Sequence, residues 1–550
     1  MASTLIPQRV YQPTQINACP CNSAFIADAY VSISCIKKTM DTLCDVRDDE
    51  DAKAPELPNE LWVNIFNHLS HGDLLGTRVV CKHWYQLVST SELKRKSILV
   101  ITQKNLKDII NLIVYKDLKY ERLEINGKWD TFSSEEQEFL IKIFKTLESD
   151  ITHLRLCGST FLPLLNNPLP KLTELDLSRM QPWDNFPIDF NKFLNVKSIL
   201  MPLFRSHRLL SQLTWTLIKI PKICLERLSL NITPSPFPPV EGFLLATHAS
   251  TLRWLKFGLS RPLREVELYM QDVFKTFTKL EALDITGVRD DYKRTVLQHL
   301  PEQNPLKVIA LRIYSHDYDL LELIQRKWSK SLVRIDLTCH MSGNVATPFN
   351  FTSSKIRCLR LLGDEMAPEY LLDCIAPTTN KTLTVLKLHI PIPAGHLFGD
   401  LLQRLPYLID LDLRGTQSTI TDEEMNCIFR YLIHLRQLAL GRCIHDNNDF
   451  PYSTDNISNL KCLQKLMSCF CPIKILQILN LNFKFIELKY LHIEPCERSS
   501  DLSVPIFLDI YKTYFPALER LSSPELDFAS KSVEEMRKSF PRIRRYDLHV

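Results

Sequence analysis

The chain has 550 residues, of which 45% are hydrophobic and 24% charged, and its formal net charge is +4. This length exceeds what one compact core usually supports, so several domains or an elongated repeat array are expected. The balance of hydrophobic and charged residues is that of a globular protein, and the small net charge does not by itself indicate a polyanion partner.

Targeting and cofactor signals are missing from the sequence. The first fifteen residues are polar, and no window holds eighteen uncharged apolar residues, so we expect an intracellular, soluble protein of the cytoplasm or nucleus. The 16 cysteines form no tight paired framework, which suits a reducing compartment. Because no G-x-G or P-loop pattern occurs, no nucleotide or other cofactor is expected.

Residues 1–55 show little helical or strand periodicity and end in an acidic stretch. We interpret them as a flexible leader and linker. This leader holds Cys19, Cys21, Cys35 and Cys44, whose spacing is poor for zinc because zinc sites favour C-x(2–4)-C pairs. The interpretation as reduced thiols is therefore favoured over a metal site, and no metal ligand is assigned in the chain.

Residues 56–95 predict three short amphipathic helices. Leu57-Pro58 begins the first helix, since proline is preorganised for a first turn. The apolar face of this helix is predicted to hold Leu61, Ile65, Phe66 and Leu69. Asp73 caps a second short helix with Leu74 and Leu75, and a third carries Val79, Val80, Trp84, Leu87 and Val88. Such a unit buries little area and is expected to offer apolar surface to a partner.

This segment resembles the F-box. That motif begins with Leu-Pro and a Glu two residues later, continues with Asp-Leu-Leu, and ends with Val-Cys-x-x-Trp. Here these are Leu57-Pro58, Glu60, Asp73-Leu74-Leu75 and Val80-Cys81-Lys82-His83-Trp84. The alternative is a generic three-helix connector with a chance likeness, which the order of these motifs disfavours. Trp84 and Cys81 also suit core packing under either interpretation.

Residues 96–150 predict a connecting segment that contains one irregular repeat, Tyr120-Leu123-Ile125. An amphipathic helix is predicted from Ser133 to Asp150. Ser133 and Glu136 stand three residues apart at its start, which is the spacing of a capping box. Its predicted buried stripe consists of Phe139, Leu140, Ile143, Phe144 and Leu147.

From residue 151 to 550, the pattern apolar-x-x-apolar-x-apolar recurs sixteen times at steps close to 26 residues. That period is typical of leucine-rich repeats, in which one unit cannot bury its own apolar face and copies must stack. The sequence therefore predicts an α/β fold, a leucine-rich-repeat horseshoe with parallel strands on the concave face and helices or irregular segments outside. Two copies end in Cys443 and Cys496, and this resembles the cysteine-containing subclass of F-box proteins.

Side chains between the buried repeat positions are expected to line the concave face. The candidates for substrate binding alternate in charge and include two aromatic residues. They are Arg155, Asp176, Trp254, Lys256, Asp284, Arg312, Asp336, Arg360, Lys387, Asp412, Tyr490 and His492. Mixed signs favour a protein partner, since a nucleic-acid surface is expected to be mainly basic. Whether binding needs a phosphate, for which Arg312, Arg334, Arg360 and Arg414 are candidates, stays open.

Asp410 and Asp412 are a candidate acid/base pair, because residues i and i+2 of a strand share a face. Nothing nearby in sequence supplies a nucleophile or a metal set, and strand repeats produce such pairs routinely. We therefore interpret them as surface residues and assign no catalytic residue. An enzymatic function is disfavoured by the missing motifs.

The resemblance implies a non-catalytic substrate-recognition subunit of a Skp–cullin–F-box ubiquitin ligase. The F-box would bind a Skp-type adaptor and, through it, a cullin/RING scaffold, while the repeats bind a protein substrate. The adaptor-binding residues implied are Leu57, Pro58, Ile65, Leu69, Leu74, Leu75, Val80, Cys81 and Trp84. The alternative is a leucine-rich-repeat scaffold without a role in ubiquitin transfer. No nucleic-acid or membrane partner is expected.

Overall fold

The computed structural model describes part of the chain. The described residues are 58–67, 82–88, 98–116, 120–127, 133–180, 188–201, 217–218, 223–232, 240–259, 264–314, 318–340, 355–363, 379–390, 396–414, 420, 422–440, 457–469, 484–494, 514–522 and 545–547. The chain divides into two compact units. The first comprises Met1–Pro202 and Lys219–Ile223, and the second comprises Leu203–Ile218 and Cys224–Val550. The predicted leader of residues 1–55, with its four cysteines, lies outside the described residues, as do Cys443 and Cys496.

The first unit begins with two short helices that share a small aromatic core. Helix α1 spans Asn59–Asn67 and helix α2 spans Lys82–Val88. The core consists of Trp62, Phe66, Leu87 and Val88, with Val63 and Trp84 packed against it. The Trp84 ring centroid lies 4.8 Å from that of Trp62 and 5.3 Å from that of Phe66. Such aromatic contacts stabilise the pair beyond their buried area.

The predicted apolar face of α1 is partly wrong. Phe66 is buried as expected, but Leu61 and Ile65 are 48% and 44% exposed. Trp62 takes the buried place instead, one turn before Phe66, because its large ring closes the gap towards α2. The predicted middle helix with Leu74 and Leu75 lies outside the described residues.

Five parallel strands follow in the first unit. They are β1 Ile98–Ile101, β2 Arg122–Ile125, β3 His153–Leu156, β4 Glu174–Asp176 and β5 Ser198–Leu200. Each strand pairs with the next one along the chain. The connections are helix α3 (Leu106–Lys116), helix α4 (Ser134–Leu147) and two 3₁₀ segments, Ser159–Asn166 and Phe190–Lys192. A strand that returns to its neighbour through a helix or turn is the unit of a leucine-rich repeat.

The predicted capping box at the start of α4 is confirmed. The Ser133 hydroxyl accepts a hydrogen bond from the Glu136 backbone N–H at 3.1 Å, and the Glu136 carboxylate accepts one from the Ser133 N–H at 2.9 Å. Both bonds satisfy N–H groups that have no partner inside the helix. On the buried side, Leu140, Ile143, Phe144 and Leu147 have no exposed surface.

The second unit continues the same pattern with thirteen described strands. They are β6 Arg227–Ile232, β7 Trp254–Leu259, β8 Ala282–Val288, β9 Val308–Tyr314, β10 Arg334–His340, β11 Cys358–Leu362, β12 Val385–His389, β13 Asp410–Asp412, β14 Gln437–Ala439, β15 Lys465–Cys469, β16 Tyr490–Glu494, β17 Arg520–Ser522 and β18 Arg545–Asp547. Each strand pairs in parallel with its successor.

The described helices of the second unit connect these strands. They are α5 Val240–His248, α6 Arg264–Lys275, α7 Asp290–His299, α8 Tyr318–Trp328, α9 His396–Gln403 and α10 Asp422–Tyr431. Neighbouring helices contact one another, as α6 contacts α7 and α9 contacts α10. The helices therefore form a second layer behind the strands.

The register of the strands follows the predicted repeat. The second apolar residue of each copy pairs with the same position in the next copy, as Leu359 does with Ile335 and Leu386. These side chains are buried, with at most 1% exposed. The predicted α/β leucine-rich-repeat array is thus confirmed.

One strand was missed by the sequence prediction. Strand β1 pairs with β2, with Leu99 opposite Leu123 and Ile101 opposite Ile125. Its copy of the pattern carries Lys96 where the other copies have their first apolar residue, which hid it within the connecting segment.

Gly363 follows β11 in a conformation reserved for glycine, with φ at +146°. A Cβ atom there would lie 1.9 Å from the Cys339 carbonyl oxygen, so the neighbouring strand passes too close for any side chain. Within the described ranges, no helix combines the length and apolar character needed to span a bilayer. The same residues contain no His, Cys, Asp and Glu cluster suited to a metal ion.

Candidate partner-binding surfaces

Helix α1 presents an exposed apolar pair. The Pro58 carbonyl accepts hydrogen bonds from the backbone N–H groups of Leu61 and Trp62, at 3.0 and 3.1 Å, and these bonds begin the helix. Leu61 and Ile65 are then one turn apart, on the face next to the buried Trp62 and Phe66. Two large exposed side chains on one short helix are a surface that suits apolar contact with another protein.

The predicted adaptor-binding residues divide into three groups. Pro58 and Ile65 are exposed, next to Leu61, which the prediction left out. Trp84 is half-buried in the aromatic core and supports α1 rather than standing in the open. The remaining residues lie outside the described part of the chain: Leu57, Leu69, Leu74, Leu75, Val80 and Cys81. Leu61 could have been found from the i, i+4 spacing with Ile65, had Trp62 been assigned to the core.

The strand face of the first unit carries a closed ion network. The Arg155 guanidinium donates to Asp176 at 2.7 Å and to Glu124 at 3.3 Å, across three neighbouring strands. Arg179 adds a second cation 4.0 Å from Glu124. Glu124 and Asp176 are 2% and 4% exposed, so their charges are neutralised inside the protein. Of the predicted substrate residues here, Asp176 therefore positions Arg155, and Arg155 is the more accessible of the two.

The strand face of the second unit places the other predicted residues in adjacent rows. The parallel register aligns Lys256, Asp284, Ala310, Asp336, Arg360, Lys387 and Asp412 on successive strands. Lys256 lies 3.0 Å from Asp284. Asp336 accepts two hydrogen bonds from Arg334, at 2.9 and 2.7 Å. The opposite charges expected from the sequence are brought together as pairs within this surface.

Asp412 is the most enclosed carboxylate of this face, with 2% exposed. Arg414 donates to it from its backbone N–H at 3.1 Å and from its guanidinium at 3.0 and 2.8 Å. Burial pushes the pKa of Asp412 upward, but His389, whose Nε2 lies 3.7 Å away, and the hydrogen bonds from Arg414 outweigh it and hold the pKa well below its usual value. Asp412 stays ionised at neutral pH and holds Arg414 in place.

Asp410 differs from its neighbour in strand β13. Burial raises its pKa, and Lys387 opposes that shift from 3.8 Å away. An acid/base pair needs a reacting group between its members. Here Asp412 is bound by Arg414 and is 2% exposed, so the expectation that it is a surface residue is wrong.

The two predicted aromatic anchors are each covered by cations from neighbouring strands. The Arg227 guanidinium lies 5.3 Å from the Trp254 ring centroid. The Lys465 Nζ atom, on the strand before Tyr490, lies 5.1 Å from the Tyr490 ring centroid, and the Arg520 guanidinium, on the strand after it, lies 4.9 Å from the same centroid. Cation–π contacts of this kind fix both ring and charge. Lys465 and Arg520 were not among the predicted residues, although their place beside Tyr490 follows from the repeat register.

Described cysteines near this face are poor nucleophiles. Burial raises the pKa of the Cys157 thiol to about 11, and burial also raises the pKa of Cys358. The thiolate is the reactive form, so both side chains are protonated and inert at neutral pH.

The F-box domain family matches residues 55–96. The chain carries an F-box. Helices α1 and α2 are the described part of this F-box, and Leu61 and Ile65 are its exposed apolar pair. The match covers the motifs from Leu57-Pro58 to Trp84 on which the resemblance rested. No curated protein matches the sequence.

Several solved structures are similar to this chain at low identity. A structure of the Rad7 and Elc1 complex in yeast is 11% identical, covers 91% of this chain and 96% of that chain, and has a TM-score of 0.30. A structure of the Toll–Spatzle complex of Drosophila is 13% identical, covers 84% of this chain and 61% of that chain, and has a TM-score of 0.30.

A third structure is the leucine-rich-repeat ectodomain of the Arabidopsis thaliana receptor kinase GASSHO1/SCHENGEN3 in complex with CASPARIAN STRIP INTEGRITY FACTOR 2. It is 13% identical, covers 83% of this chain and 70% of that chain, and has a TM-score of 0.19. The assignment of the repeats rests on the strand pairing within this chain and not on these scores.

Proposed function

We propose that this protein is the substrate-recognition subunit of a Skp–cullin–F-box ubiquitin ligase. Its F-box binds a Skp-type adaptor, which joins it to a cullin/RING scaffold, and its strand faces bind a protein substrate. The observation that carries the proposal is an F-box with an exposed Leu61–Ile65 pair in the same chain as a long array of leucine-rich repeats. We expect the protein to work in the cytoplasm or nucleus.

The role is one of positioning, without a catalytic step on this chain. A ubiquitin-conjugating enzyme carries ubiquitin as a thioester, and a substrate lysine must reach it. Holding both on one assembly turns a bimolecular encounter into an effectively unimolecular one, which raises the rate without new chemistry. The described residues suit this role, since their buried acids neutralise arginines and the thiols of Cys157 and Cys358 are protonated.

The alternative is a leucine-rich-repeat scaffold that takes no part in ubiquitin transfer. Both interpretations use the strand faces in the same way. They differ in the Leu61–Ile65 pair, which the scaffold interpretation leaves without a partner. Adaptor binding therefore separates them.

The test is adaptor capture by the purified full-length protein. Replacing Leu61→Asp and Ile65→Asp puts two charges on the exposed pair, where desolvating them against an apolar partner costs about 1 to 3 kcal/mol each. We expect at least a tenfold loss of affinity for a purified Skp-type adaptor, measured by biolayer interferometry, with α1 intact because neither side chain is in the core.

A matched control adds the same charges elsewhere on α1. Asn59→Asp and Asn64→Asp change two exposed residues of the same helix, outside the apolar pair. This variant should bind the adaptor within about twofold of the wild type, since exposed substitutions have small effects. Failure of the wild-type protein to bind any Skp-type adaptor and cullin would favour the scaffold interpretation.

A further inference from the structure

On the strand face of the second unit, the charges of two arginine–aspartate pairs cancel. Arg334 binds both oxygens of Asp336, and Arg414 binds both oxygens of Asp412. Each pair joins residues two apart in sequence, so it forms whether or not a partner is present. Neither pair contributes net charge to this surface.

The rest of the face from β9 to β17 is strongly basic. Among its described side chains outside those two pairs, five are cationic and one, Asp410, is a carboxylate. The cations are Arg312, Arg360, Lys387, Lys465 and Arg520. These described side chains therefore carry four net positive charges. A face of consecutive strands on which cations outnumber carboxylates in this way attracts anions.

Lys465 lies at the centre of the densest part of this face. Lys465 of β15 lies over the Tyr490 ring of β16, and Arg520 of β17 also contacts that ring. Burial lowers the pKa of Lys465, and the charges of Arg414, Lys387 and Arg520 lower it further against the opposing effect of Asp410. Like charges held this close are unfavourable without a counter-charge, and an anion bound here would relieve their repulsion.

Arg312 marks the other end of the face, in β9. Its Nε atom is buried and has no hydrogen-bond acceptor among the described residues. A buried donor without an acceptor costs free energy, so a carboxylate from a partner would supply a bond that the described part of the chain does not provide. From β9 to β17 there are eight steps between strands. At about 4.8 Å a step this is about 38 Å, the length of about 11 extended residues.

We propose that the strand face from β9 to β17 binds an extended, acidic segment of the substrate protein, with glutamate and aspartate carboxylates on Arg312, Arg360, Lys387, Lys465 and Arg520. This rests on the proposed function, of which it names the substrate class. A polypeptide suits the face better than a nucleic acid does. The neutral Arg334–Asp336 and Arg414–Asp412 pairs interrupt the cations, so a continuous phosphate backbone would find no free cation there, whereas a peptide can place neutral residues there.

The test uses the full-length protein and two fluorescein-labelled peptides of twelve residues. One alternates Glu with Ser, and the other alternates Gln with Ser. Fluorescence anisotropy should show the Glu peptide binding at least tenfold more tightly than the Gln peptide, with affinity that falls as salt rises. Lys387→Gln with Lys465→Gln should weaken the Glu peptide by about tenfold, the effect of removing two charge-assisted contacts.

The matched control removes two lysine charges elsewhere in the same unit. Lys330→Gln with Lys461→Gln changes exposed residues outside the strands and should leave peptide binding within about twofold of the wild type. Equal binding of the Glu and Gln peptides would overturn the proposal. So would tighter binding of a twelve-nucleotide single-stranded DNA that is lost in the Lys387/Lys465 variant, since the face would then be a nucleic-acid site.

Adaptor capture measured on the same samples separates this inference from the proposed function. Loss of adaptor binding with Glu-peptide binding retained would overturn the ligase role alone. Retained adaptor binding without preference for the Glu peptide would overturn the acidic-segment proposal alone.

Discussion

His248, the last residue of α5, is buried beside the backbone at the start of a repeat. Its side chain is 2% exposed, and its Nδ1 atom accepts from the Leu225 N–H at 3.5 Å. Burial lowers its pKa to about 4. The fold therefore favours the neutral ring, and the unfolded chain takes up a proton near pH 6.5. Stability from this residue is complete above that pH and is lost as pH falls towards 4.

From these pKa values, the free energy of unfolding should fall by about 2 kcal/mol between pH 7.5 and pH 5 because of His248 alone. Urea unfolding at both pH values gives the free energy of unfolding of the wild type and of His248→Gln. The difference between the two proteins should change from one pH to the other by this amount. The exposed His434→Gln variant serves as the control and should track the wild type. A difference that stays constant with pH would mean that the fold does not lower the pKa of this imidazole.

Asn304 links two repeats at the level of the elements. It follows α7, is 3% exposed, accepts from the Leu280 N–H at 2.9 Å and donates to the Phe277 carbonyl at 2.9 Å. Asn380 accepts from the Leu383 N–H at 3.0 Å, within its own turn. Backbone groups that enter a strand from a buried turn need such partners, because water cannot reach them.

Asn304→Ala should lower the free energy of unfolding by about 2 to 4 kcal/mol, since two buried backbone groups lose their partners. Urea unfolding followed by circular dichroism gives the value. The neighbouring Gln303→Ala variant changes an exposed side chain and is expected to stay within about 0.5 kcal/mol of the wild type. An equal, small effect of both substitutions would show that these bonds contribute little.

The elements could be predicted from sequence where their apolar residues recur at a constant spacing. Strand positions from 151 onward follow a constant apolar spacing, so their parallel register was predictable. Strand β1 was missed because Lys96 breaks that spacing, and α1 was rotated in the prediction because one turn of helix cannot tell Leu61 from Trp62 as the core residue. Which of two adjacent apolar residues is buried is decided by the partner helix.

The strand faces were predictable as a set of positions but not as a distribution of charge. The sequence places Arg414 and Asp412 two residues apart, yet only the structure shows that they neutralise each other while Lys465 and Arg520 flank Tyr490. Ion pairs depend on side-chain rotamers and on strands about 26 residues apart in sequence. The sequence predicted side chains of alternating charge along the strand face. In the structure they are divided into neutral arginine–aspartate pairs and a basic stretch.

For the whole molecule, the two compact units predict that the two proposed binding functions are separable. The aromatic core of the F-box lies in the first unit, and the basic strand face lies in the second. Leu386 of β12 has no exposed surface and pairs with Leu359 and Leu411. Repeat arrays are stabilised by contacts between neighbours, so a charge at this position disrupts the stack on both sides.

Leu386→Asp should therefore abolish Glu-peptide binding while adaptor capture stays within about twofold. An unpaired buried charge destabilises the unit that contains it by more than about 4 kcal/mol, and Leu386 lies in the second unit. Limited proteolysis should then cut the second unit and spare the first. Leu386→Ile keeps the volume and is expected to keep both activities. If Leu386→Asp also removed adaptor binding, the F-box would depend on the second unit for its fold, and substrate and adaptor sites would form one cooperative structure.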